Sequence, residues 1–348
     1  MGQNKENKTK TTYGMLLLKG RTFIALALLV IYFGFNAPNF MEWSSMVLLV
    51  KHASIYGLLA IGMTMVIITG GIDLSVGAVV GLSAMIAGGL MTEGVRLPFL
   101  KGVIYPNVPL ILLIVCLMAA FIGLVSGLLI AKLKVPAFIA TLGAMYICRG
   151  FAMLRSGGAT FPNLFGSEEL GNTGFDLIGS GNLWGIPYII IIFIVVAMIA
   201  SFIMKKTPMG LQIYAVGGNE RAAVISGIKT TKVKVFVYMF SALCAALAGI
   251  IKASELRAAH PATGETWEMI AISSVVLGGT SMSGGMGTIG GTIIGVLVIT
   301  VLNDGMIMMG VTSFWQMVIK GVVIIIAVII DLLQKDLQNK AALAARLK

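Results

Sequence analysis

Long apolar segments are the feature that most narrows the possible folds of this chain. There are ten, most of them about 15–25 residues long. They lie near residues 22–37, 45–69, 74–91, 108–131, 137–154, 184–204, 233–251, 268–281, 286–303 and 315–333. A helix needs about 20 residues to cross the ~30 Å hydrocarbon layer of a bilayer, and the short alternating segments of a membrane β-barrel are missing. The pattern predicts an all-α integral membrane protein with about ten transmembrane helices. Because the third and eighth segments are short, we expect them to form broken or re-entrant helices.

Composition agrees with a membrane protein and excludes an ordinary soluble domain. Hydrophobic residues make up 58% of the chain and charged residues 11%, whereas soluble domains carry about 25% charged residues. The net charge of +11 is assigned to cytoplasmic loops, so no nucleic-acid partner is expected. Cys116, Cys148 and Cys244 lie inside apolar segments without metal-ligand spacing, so we expect neither a metal nor a cofactor.

The distribution of Lys and Arg predicts the orientation of the chain. With the N-terminus inside, the cytoplasmic segments hold seventeen basic residues and the opposite side holds five. Both termini are therefore predicted to be cytoplasmic. The predicted divisions are a basic tail over 1–21, a single transmembrane domain over 22–333 and a tail over 334–348. Within the domain, 205–234 faces the cytoplasm, and 155–183 faces outward together with 252–267.

The polar segment Lys205–Lys234 predicts a short helix between two apolar segments. Asn219 can accept a hydrogen bond from the free N–H groups at a helix start, residues Glu220–Ser226 favour helix, and Gly227 is typical of the position after a helix end. The small residues in this helix would let a partner approach closely; they are Ala222, Ala223 and Ser226. The alternative interpretation is an ordinary connecting loop.

Two similar glycine-rich stretches interrupt the apolar pattern and predict a weak internal duplication. Their candidate gating or pathway residues are Gly70, Gly71, Asp73 and Ser75 in the first stretch and Gly278, Gly279, Ser281 and Ser283 in the second. A carboxylate at this position is costly unless it faces water, a partner or free N–H groups. Asp73 therefore either belongs to a gate or caps the third span, with Ser75 as the other candidate cap.

Other polar residues in the apolar segments have simpler predicted roles. Asn303 and Asp304 are expected to form a solvated helix end. Lys51 is expected to extend its ammonium group outward to water. Arg149 and Lys320 are expected either to do the same or to pair within the bundle.

The sequence contains no set of residues typical of an active site. Its two histidines lie in unrelated segments, and it has neither a GxSxG nucleophile motif nor a GxxxxGK[ST] phosphate loop. We therefore predict no catalytic residues. If transport consumes a nucleotide, another chain must hydrolyse it, and the short helix within Lys205–Lys234 is a suitable contact for that chain.

Several long motifs together resemble the ribose- and galactoside-type ABC importer permeases. They are GGIDLSVGAVVGLSAMIAG (Gly70–Gly88), VPAFIATLGAM (Val135–Met145), GNERAAVISGI (Gly218–Ile228), VVLGGTSMSGGMGTIGGTIIG (Val275–Gly295) and FWQMVIKGVVIIIAVIIDLL (Phe314–Leu333). The resemblance covers nearly the whole chain after the first span, in the same order. It implies a fold similar to that of the vitamin B12-type importers, with about ten helices per subunit.

The resemblance also implies a function and a set of partners. The chain would be the inner-membrane permease of an ATP-driven monosaccharide importer. It would pair with a second permease copy, identical or related, within the membrane lipid, and dock on a cytoplasmic ABC ATPase subunit. An extracytoplasmic sugar-binding protein would deliver the cargo. The implied ATPase-coupling residues are Gly218, Asn219, Glu220, Ala222, Ala223, Ser226 and Gly227.

Three alternatives remain open at this point. The same machinery could carry a non-sugar cargo, such as a nucleoside or a signalling molecule. An ion-coupled secondary transporter would use Asp73 as its proton or cation site. An intramembrane enzyme would need a nucleophile with its base, or a metal site, neither of which the sequence contains.

Overall fold

The computed structural model of the chain describes residues 22–96, 102–323, 325, 326 and 329. Both predicted tails lie outside these residues. The described residues form thirteen helices and two small antiparallel strand pairs. The helices are α1 (Thr22–Asn36), α2 (Trp43–Ile68), α3 (Val76–Thr92), α4 (Val108–Ala131), α5 (Ala137–Leu154), α6 (Leu177–Ser180), α7 (Tyr188–Lys206), α8 (Pro208–Gly218), α9 (Glu220–Ile225), α10 (Thr230–Leu256), α11 (Trp267–Leu277), α12 (Ile289–Met308) and α13 (313–323). The strands are β1 (Val95–Arg96), which pairs with β2 (Val103–Ile104), and β3 (Asn182–Leu183), which pairs with β4 (Ile186–Pro187).

Six of the described helices, α2, α4, α5, α7, α10 and α12, are long and apolar enough to cross a membrane. Helices α1, α3 and α11 are apolar but shorter. The third and eighth apolar segments form short helices, since α3 has 17 residues and α11 has 11. The chain is therefore a helical, multi-pass membrane protein.

Helix α10 lies at the centre of the bundle and packs against α2, α3 and α4. Glycines bring the helix backbones together: Gly123 of α4 lies against Tyr238 and Met239, and Gly127 lies against Val235. In lipid, where no hydrophobic force gathers the helices, close backbone approach of this kind supplies the packing energy. Gly123 and Gly127 are four residues apart in the sequence, a spacing that places both on one face of α4.

Substitution of Gly123 by alanine is expected to destabilise the bundle. An added Cβ would lie 2.6 Å from the Cα of Met239, and overpacking of this kind costs about 1–3 kcal/mol. Thermal unfolding of the purified chain in detergent would show a lowered Tm. The matched control is Gly150→Ala in α5, where an added Cβ meets no neighbour. Equal Tm values for the two variants would contradict this account of the packing.

The two segments predicted to face outward pack against each other. Phe161 and Ala259 form an antiparallel bridge, and the N–H of Leu164 donates to the carbonyl of Arg257 at 3.0 Å. The Ser254 hydroxyl donates to the carbonyl of Phe175 at 2.6 Å. This layer is therefore ordered by contacts between distant parts of the sequence, and it is more than a pair of connecting loops.

Residues 257–266, here called the re-entrant segment, turn back along α3 into the bundle. Ala259 lies against Gly88, the carbonyls of Pro261 and Thr263 lie against Gly81, and Gly264 lies against Gly77. These glycines span 11 residues of α3, or about 16 Å. The segment therefore runs from the layer that it shares with residues 155–183 to the start of α11, and its outward orientation stays a prediction.

Two predictions about charged residues are wrong. Asp304 is 5% exposed, and its Oδ2 is hydrogen-bonded to Nδ1 of His52 at 2.8 Å. It does not form a solvated helix end, because α12 continues for four residues to Met308. Lys51 does not extend outward to water either; it forms an ion pair with Glu255 of α10 at 2.9 Å.

Candidate functional site: helix α9 and the glycine breaks

The predicted short helix between the two apolar segments is present as α9. It begins at Glu220, and the Asn219 side chain accepts a hydrogen bond from the N–H of Ala222 at 3.0 Å. Gly227 has φ +82° and follows the helix end, as its position in the sequence predicts. The helix ends at Ile225, one residue earlier than predicted. The interpretation of this segment as an ordinary connecting loop is wrong.

One face of α9 is apolar and exposed. Ile225 is 87% exposed, and Val224 beside it is 55% exposed. Gly218, Asn219, Glu220, Ala222, Ser226 and Gly227 are exposed as well. Ala223 is 4% exposed and packs inside the chain, so the prediction that it admits a partner is wrong. These exposed apolar side chains make α9 the candidate docking surface in this part of the chain.

Helix α9 is anchored to the central helix. Glu220 Oε1 and Lys234 Nζ of α10 form an ion pair at 2.7 Å, and the N–H of Ile228 donates to the carbonyl of Ala223 at 3.0 Å. Because α10 packs on three other helices, these contacts connect α9 to the centre of the bundle.

The two glycine-rich stretches meet beneath α2. The N–H of Gly285 donates to the carbonyl of Ile68 at 2.8 Å, and Tyr214 of α8 donates to the carbonyl of Gly287 at 2.7 Å. Burial raises the pKa of Tyr214, which keeps the phenol protonated as a donor. Gly70 and Gly279 occupy similar positions after α2 and α11 and share a left-handed backbone, with φ +80° and +87°. The structure thus brings both breaks against α8, directly before α9.

The other predicted gating residues have local partners. Gly71 lies against the Tyr238 hydroxyl, and Gly278 lies against Gly291 of α12. Ser281 is buried, and its hydroxyl accepts a hydrogen bond from the N–H of Ser283 at 3.3 Å. These contacts shape the two breaks. Gly279 and Ser283 are the exposed residues of the second set.

Asp73 is 2% exposed and fully hydrogen-bonded. It accepts from the Ser75 N–H at 3.0 Å, the Ser75 hydroxyl at 2.6 Å and the Ser241 hydroxyl of α10 at 2.9 Å. Asp73 therefore satisfies a backbone N–H directly before α3, as the capping interpretation predicts, whereas the Ser75 side chain makes no capping bond. Asp73 also ties the first break to α10.

A cavity of about 1030 Å³ joins α9 to the first break. Its lining includes Gly70, Gly71, Asn219, Glu220 and Tyr238. Basic side chains also line it, namely Lys134, Arg221 and Lys234. This cavity was not predicted from the sequence. The basic residues in the turn before α5 are the sequence feature that could have indicated it. Two predicted coupling residues, Asn219 and Glu220, and two predicted gating residues, Gly70 and Gly71, therefore line one cavity.

A second, apolar groove of about 900 Å³ runs along α3, α4 and α5. The exposed face of α5 contributes Ile139, Ile147, Phe151 and Leu154 to it. Nothing in the periodicity of the sequence distinguishes this face from one that contacts lipid. In the described part of the chain no three His, Cys, Asp or Glu side chains are arranged to hold a metal ion.

Comparison with known proteins identifies the family. A family model described as "Branched-chain amino acid transport system / permease component" matches residues 45–328. The chain belongs to this family. The permease matches no solved structure.

Individual members of the family that are similar to this chain are import permeases for ribose and galactosides. The permease is 44% identical over 309 residues to the ribose import permease protein RbsC of Bacillus subtilis (strain 168), across 89% of this chain and 91% of the relative. It is 38% identical over 315 residues to RbsC of Escherichia coli (strain K12), across 90% and 94%. It is 36% identical over 317 residues to the galactose/methyl galactoside import permease protein MglC of Haemophilus influenzae (strain ATCC 51907 / DSM 11121 / KW20 / Rd), across 90% and 93%. The predicted resemblance is confirmed, and the permease is a transport component rather than an enzyme.

Proposed function

We propose that the permease forms the membrane pathway of an ATP-driven ABC importer for a monosaccharide similar to ribose or galactose. The observation that carries this proposal is the match, over nearly the full length of each chain, to permeases named for ribose and galactoside import. The proposed location is the bacterial inner membrane, with both termini cytoplasmic and about ten spans in a fold like that of the vitamin B12-type importers. Helices α1, α3, α11 and α13 would complete the six long spans.

The proposed partners follow from the surfaces of the chain. The exposed face of α9 would contact a cytoplasmic ABC ATPase subunit. The packed outer layer would receive an extracytoplasmic sugar-binding protein. A second permease copy, identical or related, would complete the pathway within the lipid.

The mechanism depends on the anchoring of α9. ATP binding would close the ATPase pair and move the two copies of α9 together, and α10 would follow through the Glu220–Lys234 ion pair. Both glycine breaks pack beside α8, so the same movement would reach them through Tyr214. The bundles would then rock between outward-open and inward-open states. Asp73 supports this mechanism over ion coupling, because protein donors already occupy its carboxylate.

Co-purification tests the proposal most directly. The permease extracted from its native membrane should carry a P-loop ATPase, and a soluble sugar-binding protein should join the complex. Vesicles that hold the complex should take up labelled ribose or galactose only when ATP is supplied. A permease that purifies alone and transports under an ion gradient would contradict the proposal.

Breaking the ion pair between α9 and α10 should lower uptake without releasing the ATPase from the permease. Lys234→Met is expected to leave ATPase co-purification unchanged while lowering uptake about two- to fivefold, since such a partly exposed pair contributes about 0–1 kcal/mol. The double variant Glu220→Lys/Lys234→Glu should restore uptake by re-forming the pair with reversed charges. Loss of the ATPase from Lys234→Met membranes would show instead that Lys234 belongs to the docking surface.

A further inference from the structure

The start of α11 lies level with the middle of α2, a helix long enough to cross the membrane. Helix α11 has 11 residues, or about 16 Å, which is half of the ~30 Å hydrocarbon layer. Its C-terminal end reaches Gly278, which lies against Gly291 in the first turn of α12. At its other end, the Trp267 ring packs edge-on against Tyr56, near the middle of α2, at a centroid distance of 5.2 Å. The re-entrant segment therefore carries irregular backbone to half the depth of the bundle.

Irregular backbone at this depth needs internal hydrogen-bond partners. Arg149 of α5 supplies them, because its Nη1 donates to the carbonyl of Pro261 at 2.6 Å and to the carbonyl of Thr263 at 3.0 Å. This contact confirms the predicted alternative in which Arg149 pairs within the bundle. Nε and Nη2 of Arg149 have no hydrogen-bond partner among the residues that the structure describes.

Two carboxylates lie beside this arginine. Glu268 is 8% exposed and lies against Gly77, whereas Glu265 is exposed. Both are close enough to interact electrostatically with the Arg149 guanidinium. Within the described residues, neither forms an ion pair shorter than 4 Å with it. We call Arg149, Glu265 and Glu268 the midplane cluster.

An exposed carboxylate near the bilayer centre is too costly to face lipid, so it faces a water-filled path or a protein partner. The cluster holds one positive and two negative charges with unused donors and acceptors. Such a set hydrogen-bonds the hydroxyl groups of a neutral polyol and repels an anionic cargo.

We propose that the midplane cluster lines the translocation pathway and contacts the hydroxyl groups of the cargo as it passes, an inference that rests on the proposed function. Glu265 and Glu268 accept hydrogen bonds from the sugar, and Arg149 positions the re-entrant segment while donating to the sugar with its free N–H groups. The break between α10 and α11 is thus a contact point for a neutral, polyhydroxylated cargo.

Thiol labelling tests whether the cluster faces water. The experiment uses the full complex in membranes, with Cys116, Cys148 and Cys244 replaced by alanine and a membrane-impermeant cationic methanethiosulfonate as the probe. Glu265→Cys should react at least about tenfold faster than Met198→Cys, because only a hydrated thiol forms the reactive thiolate. Met198 is the matched control, since it is exposed on the apolar helix α7.

Uptake of labelled ribose tests the contact with cargo. Glu265→Gln and Glu268→Gln should each lower uptake about tenfold without loss of the ATPase, because each removes a charged acceptor. Equal labelling of Glu265→Cys and Met198→Cys would overturn the proposal, as would full uptake by both glutamine variants. If the parent permease shows no ATP-dependent uptake of ribose or galactose, the proposed function fails, and labelling alone still decides whether the cluster faces water.

Discussion

Replacement of Ile225 by aspartate is expected to release the ATPase from the permease and to abolish uptake. Ile225 is the most exposed apolar side chain of α9, and no other part of the described chain covers it. Burial of such a residue at the centre of a protein interface contributes about 2 kcal/mol or more, so a charged replacement should weaken binding by about 30-fold or more. Co-purification from detergent and ATP-dependent ribose uptake measure the two effects.

The control for this variant lies directly after the segment 155–183 that is predicted to face outward. Trp184 is 93% exposed in the turn between β3 and β4. Trp184→Asp changes an equally exposed apolar residue to the same acid and should leave the ATPase bound. Retention of the ATPase by Ile225→Asp, or its loss from Trp184→Asp, would show that the apolar face of α9 is not the docking surface.

Replacement of Asp73 by leucine is expected to destabilise the bundle strongly. The change leaves the buried donors of Ser75 and Ser241 without their acceptor, and each unsatisfied buried group costs about 1–3 kcal/mol. The effect should appear as a lowered Tm in detergent and as lower amounts of folded permease in the membrane.

Asp73→Asn distinguishes a structural carboxylate from an ion-coupling one. The asparagine carbonyl can still accept from Ser75, and the Ser241 hydroxyl can accept from the amide. We therefore expect a nearly unchanged Tm and retained ATP-driven uptake. A well-folded Asp73→Asn permease without uptake would favour the ion-coupled alternative, because the amide cannot carry a proton or bind a cation as a carboxylate does.

Local signals predicted α9 well. The side chain of Asn219 bonds within its own first turn and Gly227 adopts the required backbone conformation, so both ends of the helix are encoded in neighbouring residues. The close contacts of Gly123 and Gly127 in α4 likewise correspond to a local feature of the sequence, the four-residue spacing of these two glycines. In each case the interaction that decides the structure lies within one helix or on one of its faces.

Long-range contacts account for the wrong predictions. Ala223 is buried by packing that local composition does not reveal, and Asp304 is buried by His52, 252 residues away. The re-entrant segment is polar, so its composition suggests an external loop. Its course along α3 depends on carbonyl contacts with Arg149 from a distant helix. Partners of this kind cannot be read from periodicity or charge.

The bridge between Phe161 and Ala259 links residues 155–183 to the re-entrant segment, which leads to the start of α11. Six residues of backbone separate Ala259 from Glu265. In the proposed importer, a partner that shifts Phe161 by a small distance would therefore pull directly on the segment that ends at the midplane cluster. Arrival of a loaded binding protein would then act at mid-depth before any sugar enters.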